Sequence, residues 1–331
     1  MLYKDELMNK LHLQMFATVT QTTELSDLSA EMKVFYSDYL IDNAKPNLVH
    51  DQFGQKHPIP KNGGKEIEFR KYTPLNKALT PLTEGVTPDG NKLSVTTLNS
   101  KVKQYGDFIE VSDVLILTAI DNNMVQATKL LGAQAGQTLD TVTREILAAG
   151  TNVIYAGGKA SRAALGAEDK VTIDDFRKAV RTLKAQNAKP IGKYWVAIVH
   201  PDIEYDVMSD PKWVDAAQYA GSEQIFEGEL GRAYGIRFVE STEAKVWEKA
   251  AASNAKSVYG TLVLGDNAYG VTEVTGGGLQ HIVKQLGSGG TTDPLNQRAT
   301  VGWKAIKTAE ILVQQYMVRI ESVSTFDSAA N

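Results

Sequence analysis

The chain contains no cysteine, which excludes disulfide staples, thiolate nucleophiles and cysteine metal sites together. It also has no surplus of positive charge. Lys and Arg number 35 against 39 Asp and Glu, a net charge of -4, so no global field draws in nucleic acid. No stretch approaches the ~20 apolar residues that a membrane-spanning helix needs. The N-terminal segment MLYKDELMNKLHLQMFA is interrupted by acidic residues where a secretion signal would be apolar. It reads instead as an amphipathic arm with Leu7, Met8, Leu11 and Met15, able to dock on a neighbouring subunit. Histidine is scarce: His12, His50, His57, His200 and His281 are scattered, and HExxH, GxSxG, Walker and EF-hand patterns are all missing. What remains is 331 residues, 43% of them hydrophobic, enough for one large core or two to three modules whose stability comes from packing and assembly.

The rest of the chain is arranged around Ser112–Gly150. From Met124 onward, Leu131, Ala135, Leu139, Val142, Ile146 and Ala149 recur in steps of three and four, a stripe along one helix face. The spacing predicts a helix ~40 Å long at about 1.5 Å per residue, jointed at Asp121-Asn122-Asn123. Ahead of it, Lys65–Tyr72 alternates Ile67 and Phe69 with charged residues, the period of a strand with one wet face. Pro74, Pro81, Pro88 and Asp89-Gly90 make the following segment a loop tip, and Leu93–Val111 returns as a second extended run. The two runs pair as a hairpin reaching ~50 Å at about 3.3 Å per residue. A lone two-stranded hairpin is marginal in water, so a neighbouring chain is the expected support. Its contact residues are then Phe69, Tyr72, Leu75, Leu79, Leu82, Val86 and Leu93.

Elsewhere the pattern is an α/β alternation. A short helix is expected within Glu24–Ile41, and Pro46, Gly54, Pro58 and Pro60 mark a loop holding His50 and His57, with no third metal ligand in view. Asn152–Ala167 reads as a Gly-rich surface loop. Thr172 or Asp174 caps a helix burying Phe176, Ala179, Val180 and Leu183. Tyr194–Val199, Ile236–Glu240 and Thr261–Leu264 read as strands. His200-Pro201 opens a helix to Met208, and Leu279–Leu286, Ala299–Thr308 and Glu310–Ser322 are extended. Asp174-Asp175 at a helix start suits capping, His200 suits packing at a strand end, and Gly132 with Gly136 suits close backbone packing. The glycines of GELGRAYG do not match a dinucleotide fingerprint. No catalytic set, cofactor site or metal site emerges. A small-molecule enzyme centred on His200 and Gly228–Gly235 is the alternative from another class.

Several long stretches carry a resemblance: IDNAKPNLVHDQFGQKHPIPKNGGKEIEFRKY, PLTEGVTPDGNKL, LTAIDNN, LLGAQAGQTLDTVTREIL and DPLNQRATVGWKA. With the order of arm, hairpin, long helix, α/β module and returning strands, the chain resembles tailed-bacteriophage major capsid proteins. These have the α+β Hong Kong 97 (HK97-like) fold, and the stretches are similar to the branch named after the phage N4 capsid protein. The resemblance implies an N-terminal arm and short helix over 1–64, an extended loop over 65–111 and a peripheral domain with the spine helix over 112–189. It further implies an axial domain over 190–275 and return strands over 276–331. It implies self-assembly into hexamers and pentamers around double-stranded DNA, without sequence-specific binding and without a membrane. Scaffolding, portal and decoration proteins are the implied partners, and the virion, assembled in the bacterial cytoplasm, is the implied location. Some relatives crosslink a loop Lys; Lys77 and Lys92 lie near this tip, but no matching motif carries that chemistry over. An encapsulin-like compartment is the competing reading within the same fold.

Overall fold

The computed structural model describes residues 48–58, 66–72, 90–118, 123–214, 231–251, 256–272, 279–290 and 293–329, with 75, 77–82, 84, 85 and 87 of the loop tip. The expectations for the N-terminal arm, the helix within Glu24–Ile41, Val86 and the side chain of Tyr72 lie outside the described residues. The strands are β1 (Gln55–His57), β2 (Glu66–Tyr72), β3 (Val95–Lys101), β4 (Lys103–Ser112), β5 (Val153–Tyr155), β6 (Trp195–Val199), β7 (Arg232–Ala233) and β8 (Ile236–Glu240). They continue with β9 (Val246–Trp247), β10 (Val258–Leu264), β11 (Tyr269–Thr272), β12 (Leu279–Lys284), β13 (Arg298–Lys307), β14 (Ala309–Ile311) and β15 (Met317–Ser322). The helices are α1 (Asp113–Thr118), α2 (Asn123–Ala148), α3 (Ile173–Ala185) and α4 (Pro201–Met208). Two compact units result. The larger holds Ala44–Tyr105, Gln134–Leu279 and Ala305–Asn331, and the smaller holds Gly106–Ala133 and Gln280–Lys304.

The larger unit is built on a mixed sheet of order β5-β15-β10-β6-β8-β7, with β9 paired to β10. Strand periodicity splits its side chains between two cores. Trp195, Ala197 and Val199 of β6 join Phe176, Leu183, Ile203 and Val207 on the face covered by α3 and α4. Val196 and Ile198 face the other way, onto Leu147 of α2 and Tyr269 of β11. Strands β6, β10 and β15 are therefore buried along their whole length. Short as it is, α3 has a firm start: the Asp175 carboxylate accepts from the Thr172 amide at 3.2 Å and the Thr172 hydroxyl at 2.8 Å. Asp174, the other expected cap, instead pairs with Arg177 at 3.2 Å and with Lys212.

α2 is the expected beam, separated from α1 by residues outside the description. Its fully buried positions run Leu131, Ala135, Leu139, Thr143, Leu147; of the later positions in the expected stripe, Ile146 is half-buried against the same core as Leu147, Val142 is half-buried and Ala149 is exposed. Four residues turn ~400° at about 100° each, so a stripe in steps of four rotates around the helix and its two ends bury different faces. At its C-terminus the Arg319 guanidinium donates to the carbonyls of Ala148 and, at 2.7 Å, of Gly150. A cation suits that end of the helix dipole. Arg319 and Arg162 both bond the fully buried Glu321 carboxylate, at 2.8 Å and at 2.7 and 2.8 Å respectively.

A buried charge cluster joins four distant stretches of chain. The His50 amide and ring Nδ1 meet the Asp140 carboxylate of α2 at 2.7 and 2.6 Å. Asp51 accepts from Thr143 of α2 at 2.6 Å and pairs with Lys307 at the end of β13. The Tyr269 hydroxyl of β11 donates to the His50 carbonyl, and burial, with Asp51 and Asp140 nearby, pushes its pKa well above the ordinary value.

Three segments differ from expectation. Leu93–Val111 is divided at Val102: β3 pairs with β2, whereas β4 belongs to a separate sheet of order β12-β13-β4. Glu310–Ser322 is not one strand, because the Leu312 and Val313 amides both bond the Ala268 carbonyl and a 3-10 turn at Gln314–Tyr316 redirects the chain. β14 then pairs with β11, and β15 pairs with β10 and β5. The Gly-rich segment after α2 contributes β5 to the large sheet, parallel to β15.

Removing one partner of a buried ion pair strands the other charge, at a cost of about 3–5 kcal/mol. Lys307→Met should lower the urea midpoint accordingly, and adding Asp51→Asn should recover part of the loss. A single variant as stable as the parent would show that the pair is not holding these segments.

Candidate assembly surfaces

The hairpin has an anchored base and a tip whose described leucines are exposed. β2 and β3 run antiparallel in register from Glu66↔Lys101 to Tyr72↔Val95. Ile67 and Phe69 face inward, while Glu66, Glu68 and Arg70 face water. Phe69, expected at a contact between subunits, is 0% exposed within its own chain. It packs with Ile67 and Leu312, and its ring lies over Gly270, where an added Cβ would come within 2.5 Å of it. His57 meets the ring edge-on at 4.8 Å. A one-sided ribbon buries its apolar face on whatever lies beneath, and here that is the β11–β14 region of the same chain, so the base needs no neighbour. The tip differs: Leu75, Leu79, Leu82 and Leu93 are 61, 81, 77 and 70% exposed.

The sequence reading missed a second apolar surface, in the smaller unit. On α1, Val114, Leu115, Ile116 and Leu117 are all exposed, as are Phe108, Ile282 and Leu130. The signal was present in the sequence, since four successive apolar residues on a helix cannot share one face. Nearby, one face of the three-stranded sheet forms a groove of about 610 Å³ with Phe108, Ile282, Thr300 and Gly302 among its lining and Gly106 beside them. A Cβ on Gly106 would sit 2.5 Å from the Trp303 carbonyl oxygen, which requires glycine there. Arg298 and Glu110 pair at 3.2 Å on its rim.

The polar residues that could suggest chemistry are engaged in structure. His200 caps α4, its Nδ1 accepting from the Asp202 amide at 3.2 Å, and its ring lies 5.1 Å from that of Tyr259. Burial lowers the His200 pKa. The Tyr259 hydroxyl donates to Asp202 at 2.6 Å, and burial foremost pushes its pKa up to about 12. The C-terminal segment closes over the same helix: Ser328 donates to Asp202 at 2.5 Å, and the Thr325 amide to Asp206 at 2.9 Å. The described end of GELGRAYG is a hairpin turn, with Tyr234 and Gly235 at φ 51 and 79 between β7 and β8. Among the described residues no group of three metal-ligating side chains gathers.

Such a subunit has a beam helix, a hairpin whose described tip leucines are exposed, and its buried titratable groups bound into caps and ion pairs. That is the construction of an HK97-like shell protein, in the α+β class. Residues 95–315 match the phage capsid protein family, more than half of the sequence, and the chain belongs to that family. The fold is similar to that of the capsid of cyanophage P-SCSP1u (15% identity, TM-score 0.63, covering 84% of this chain and 89% of that one). It is similar also to the capsid asymmetric unit of cyanophage Pam1 (12%, 0.64, 80% and 86%) and to the capsid of Ralstonia phage GP4 (16%, 0.60, 81% and 86%). A virus-like particle from Pyrococcus furiosus shares the fold at 12% identity and TM-score 0.51, over 88% of this chain and 99% of that one. No curated protein matches the chain.

The first of two measurable outcomes separates an anchor from a contact surface. Phe69→Ala should destabilise the isolated subunit by about 3–5 kcal/mol, whereas Leu79→Ala should leave its unfolding curve unchanged; equal effects would refute the division. The second concerns Glu204 on α4, whose carboxyl is pushed up to about 6 by burial, by the charge of Glu240 and by a hydrogen bond with it. A carboxyl raised on folding contributes stability that is complete below its ordinary value and lost as pH rises through about 6. Glu204→Gln should abolish that loss, so thermal melts of variant and parent should separate as pH rises from 4.5 to about 6 and keep a constant offset above it; curves parallel across that window would refute the assignment.

Proposed function

We propose that this phage capsid protein builds an icosahedral head from hexamers and pentamers of itself around packaged double-stranded DNA, acting by polymerisation and not by turnover. The exposed apolar tip of a hairpin whose base is anchored in its own subunit is the observation that carries this reading. Leu75, Leu79, Leu82 and Leu93, with Tyr72 and Val86 beside them in sequence, are the proposed contacts to a neighbouring copy. A patch that meets a different patch on the next copy gives rings when the rotation closes. The resemblance to the N4 branch supports placing the chain there, with an axial domain over 190–275 and peripheral elements on either side of it in sequence. The same resemblance supports assembly in the bacterial cytoplasm with scaffolding, portal and decoration proteins as partners. A cargo-enclosing compartment uses the same fold, but the family match favours the phage head.

Deleting Pro74–Gly90 should leave a subunit with native circular dichroism that no longer closes into particles. Electron microscopy of the expressed variant decides the matter: intact shells would sink the role assigned to the tip.

A further inference from the structure

Between Phe176 and Pro201 the sequence holds Arg177, Lys178, Arg181, Lys184, Lys189 and Lys193 and no Asp or Glu, although the whole chain carries a net charge of -4. α3 concentrates these charges on one side. Its Phe176, Ala179, Val180 and Leu183 are buried on the central sheet, and Arg177, Lys178, Arg181 and Lys184 are exposed. Arg177, Arg181 and Lys184 are spaced four and three residues apart, one row rising ~10 Å along the helix. Lys189 and Lys193, also exposed, lie in the connection to β6. The acidic partners of the helix side chains lie at its start, and Asp266 lies beside the connection, its amide donating to the Lys189 carbonyl at 2.8 Å. Asp175 is buried and accepts from Lys178 at 2.8 Å, and Asp174 serves Arg177 at 3.2 Å as well as Lys212. Neutralisation thus stops at Lys178, and the cationic excess grows toward the helix C-terminus.

Beside the start of the helix the exposed Tyr234 ring lies under the Arg177 guanidinium, 5.5 Å from it, and the rest of the row offers little that is apolar. Among the described residues, no exposed large hydrophobic side chain lies between Phe176 and Val199. A protein partner docks around an apolar centre depleted of charge, whereas a phosphate backbone is held by cations and polar donors without sequence readout. We infer that the outer face of α3 and the connection after it form a docking surface for the phosphate backbone of duplex nucleic acid, and that this face is turned toward the packaged DNA. The inference rests on the proposed role as a shell around DNA. The negative charge of the remaining chain keeps the contact weak and local, which suits DNA that must pack and leave.

The test uses full-length subunits kept dilute enough to remain unassembled, with fluorescence anisotropy on a short random-sequence duplex between about 50 and 200 mM salt. The triple variant Arg181→Ala, Lys184→Ala, Lys189→Ala should bind at least ~10-fold more weakly at the low-salt end. Its log–log salt slope should fall by about 2–3, at roughly 0.9 per phosphate contact. Swapping Arg181→Lys and Lys184→Arg should retain binding, and Lys77→Ala with Lys92→Ala should leave it unchanged. Undiminished binding by the triple variant, no duplex binding by the parent, or competition by polyglutamate as effective as by duplex would each overturn the inference. So would acylation of Lys184 and Lys189 by a reagent that cannot enter intact particles. Particle formation is read separately by electron microscopy. Its failure in the parent chain sinks the shell reading, whereas a triple variant that assembles yet binds duplex normally sinks only the docking surface.

Discussion

The larger unit depends on one buried electrostatic knot. His50 and Asp51, at the start of the described chain, are held by Asp140 and Thr143 of α2, by Lys307 at the end of β13 and by Tyr269 of β11. Hydrophobic contact alone would let these segments slide, because apolar attraction is non-directional. Charges taken out of water behave differently: each must meet its partner or the desolvation cost is uncompensated. The knot therefore sets a register between the helix, the end of β13 and the segment leading into the hairpin. With that register set, Phe69 comes to lie over Gly270 and the base of the hairpin is seated.

A second level of organisation concerns what the subunit leaves uncovered. The core is closed on both faces of the central sheet, so the exposed leucines of the hairpin tip and the four apolar residues of α1 do not reflect a shortage of interior space. Contiguous exposed apolar surface on an otherwise satisfied protein marks a place where another surface belongs. In a member of a capsid family, the proposed occupant is a neighbouring copy in the shell. The titratable residues point the same way. Asp175 and His200 cap helices, and Glu321 and Asp202 tie distant segments together, so their hydrogen-bonding capacity is turned into the fold.

Much of this was legible from periodicity. The alternation of Ile67 and Phe69, the start of α3 at Thr172, the strands β6 and β8, the hairpin and the long helix all follow from local patterns in backbone geometry and side-chain size. The misses have a common origin. Leu93–Val111 and Glu310–Ser322 each read as one extended run, yet each divides between two sheets, since strand propensity is blind to which neighbour accepts the hydrogen bonds. β11 carries Gly270 and so little alternation that no pattern announced it.

Phe69 shows where the boundary lies. Its place on one face of an amphipathic strand was written in the sequence, because alternate side chains of a strand must point to opposite sides. Whether that face would meet a neighbouring chain or its own was not, since a pattern of apolar and charged residues specifies that burial occurs and not against what. Only the tertiary structure decided it, by bringing Gly270 and Leu312, some 200 residues or more further along the chain, beneath the ring. The same holds for the buried charges. The sequence showed His50, Asp51, Asp140 and Lys307 as scattered polar residues, and their pairing exists only because packing excluded water from all four at once.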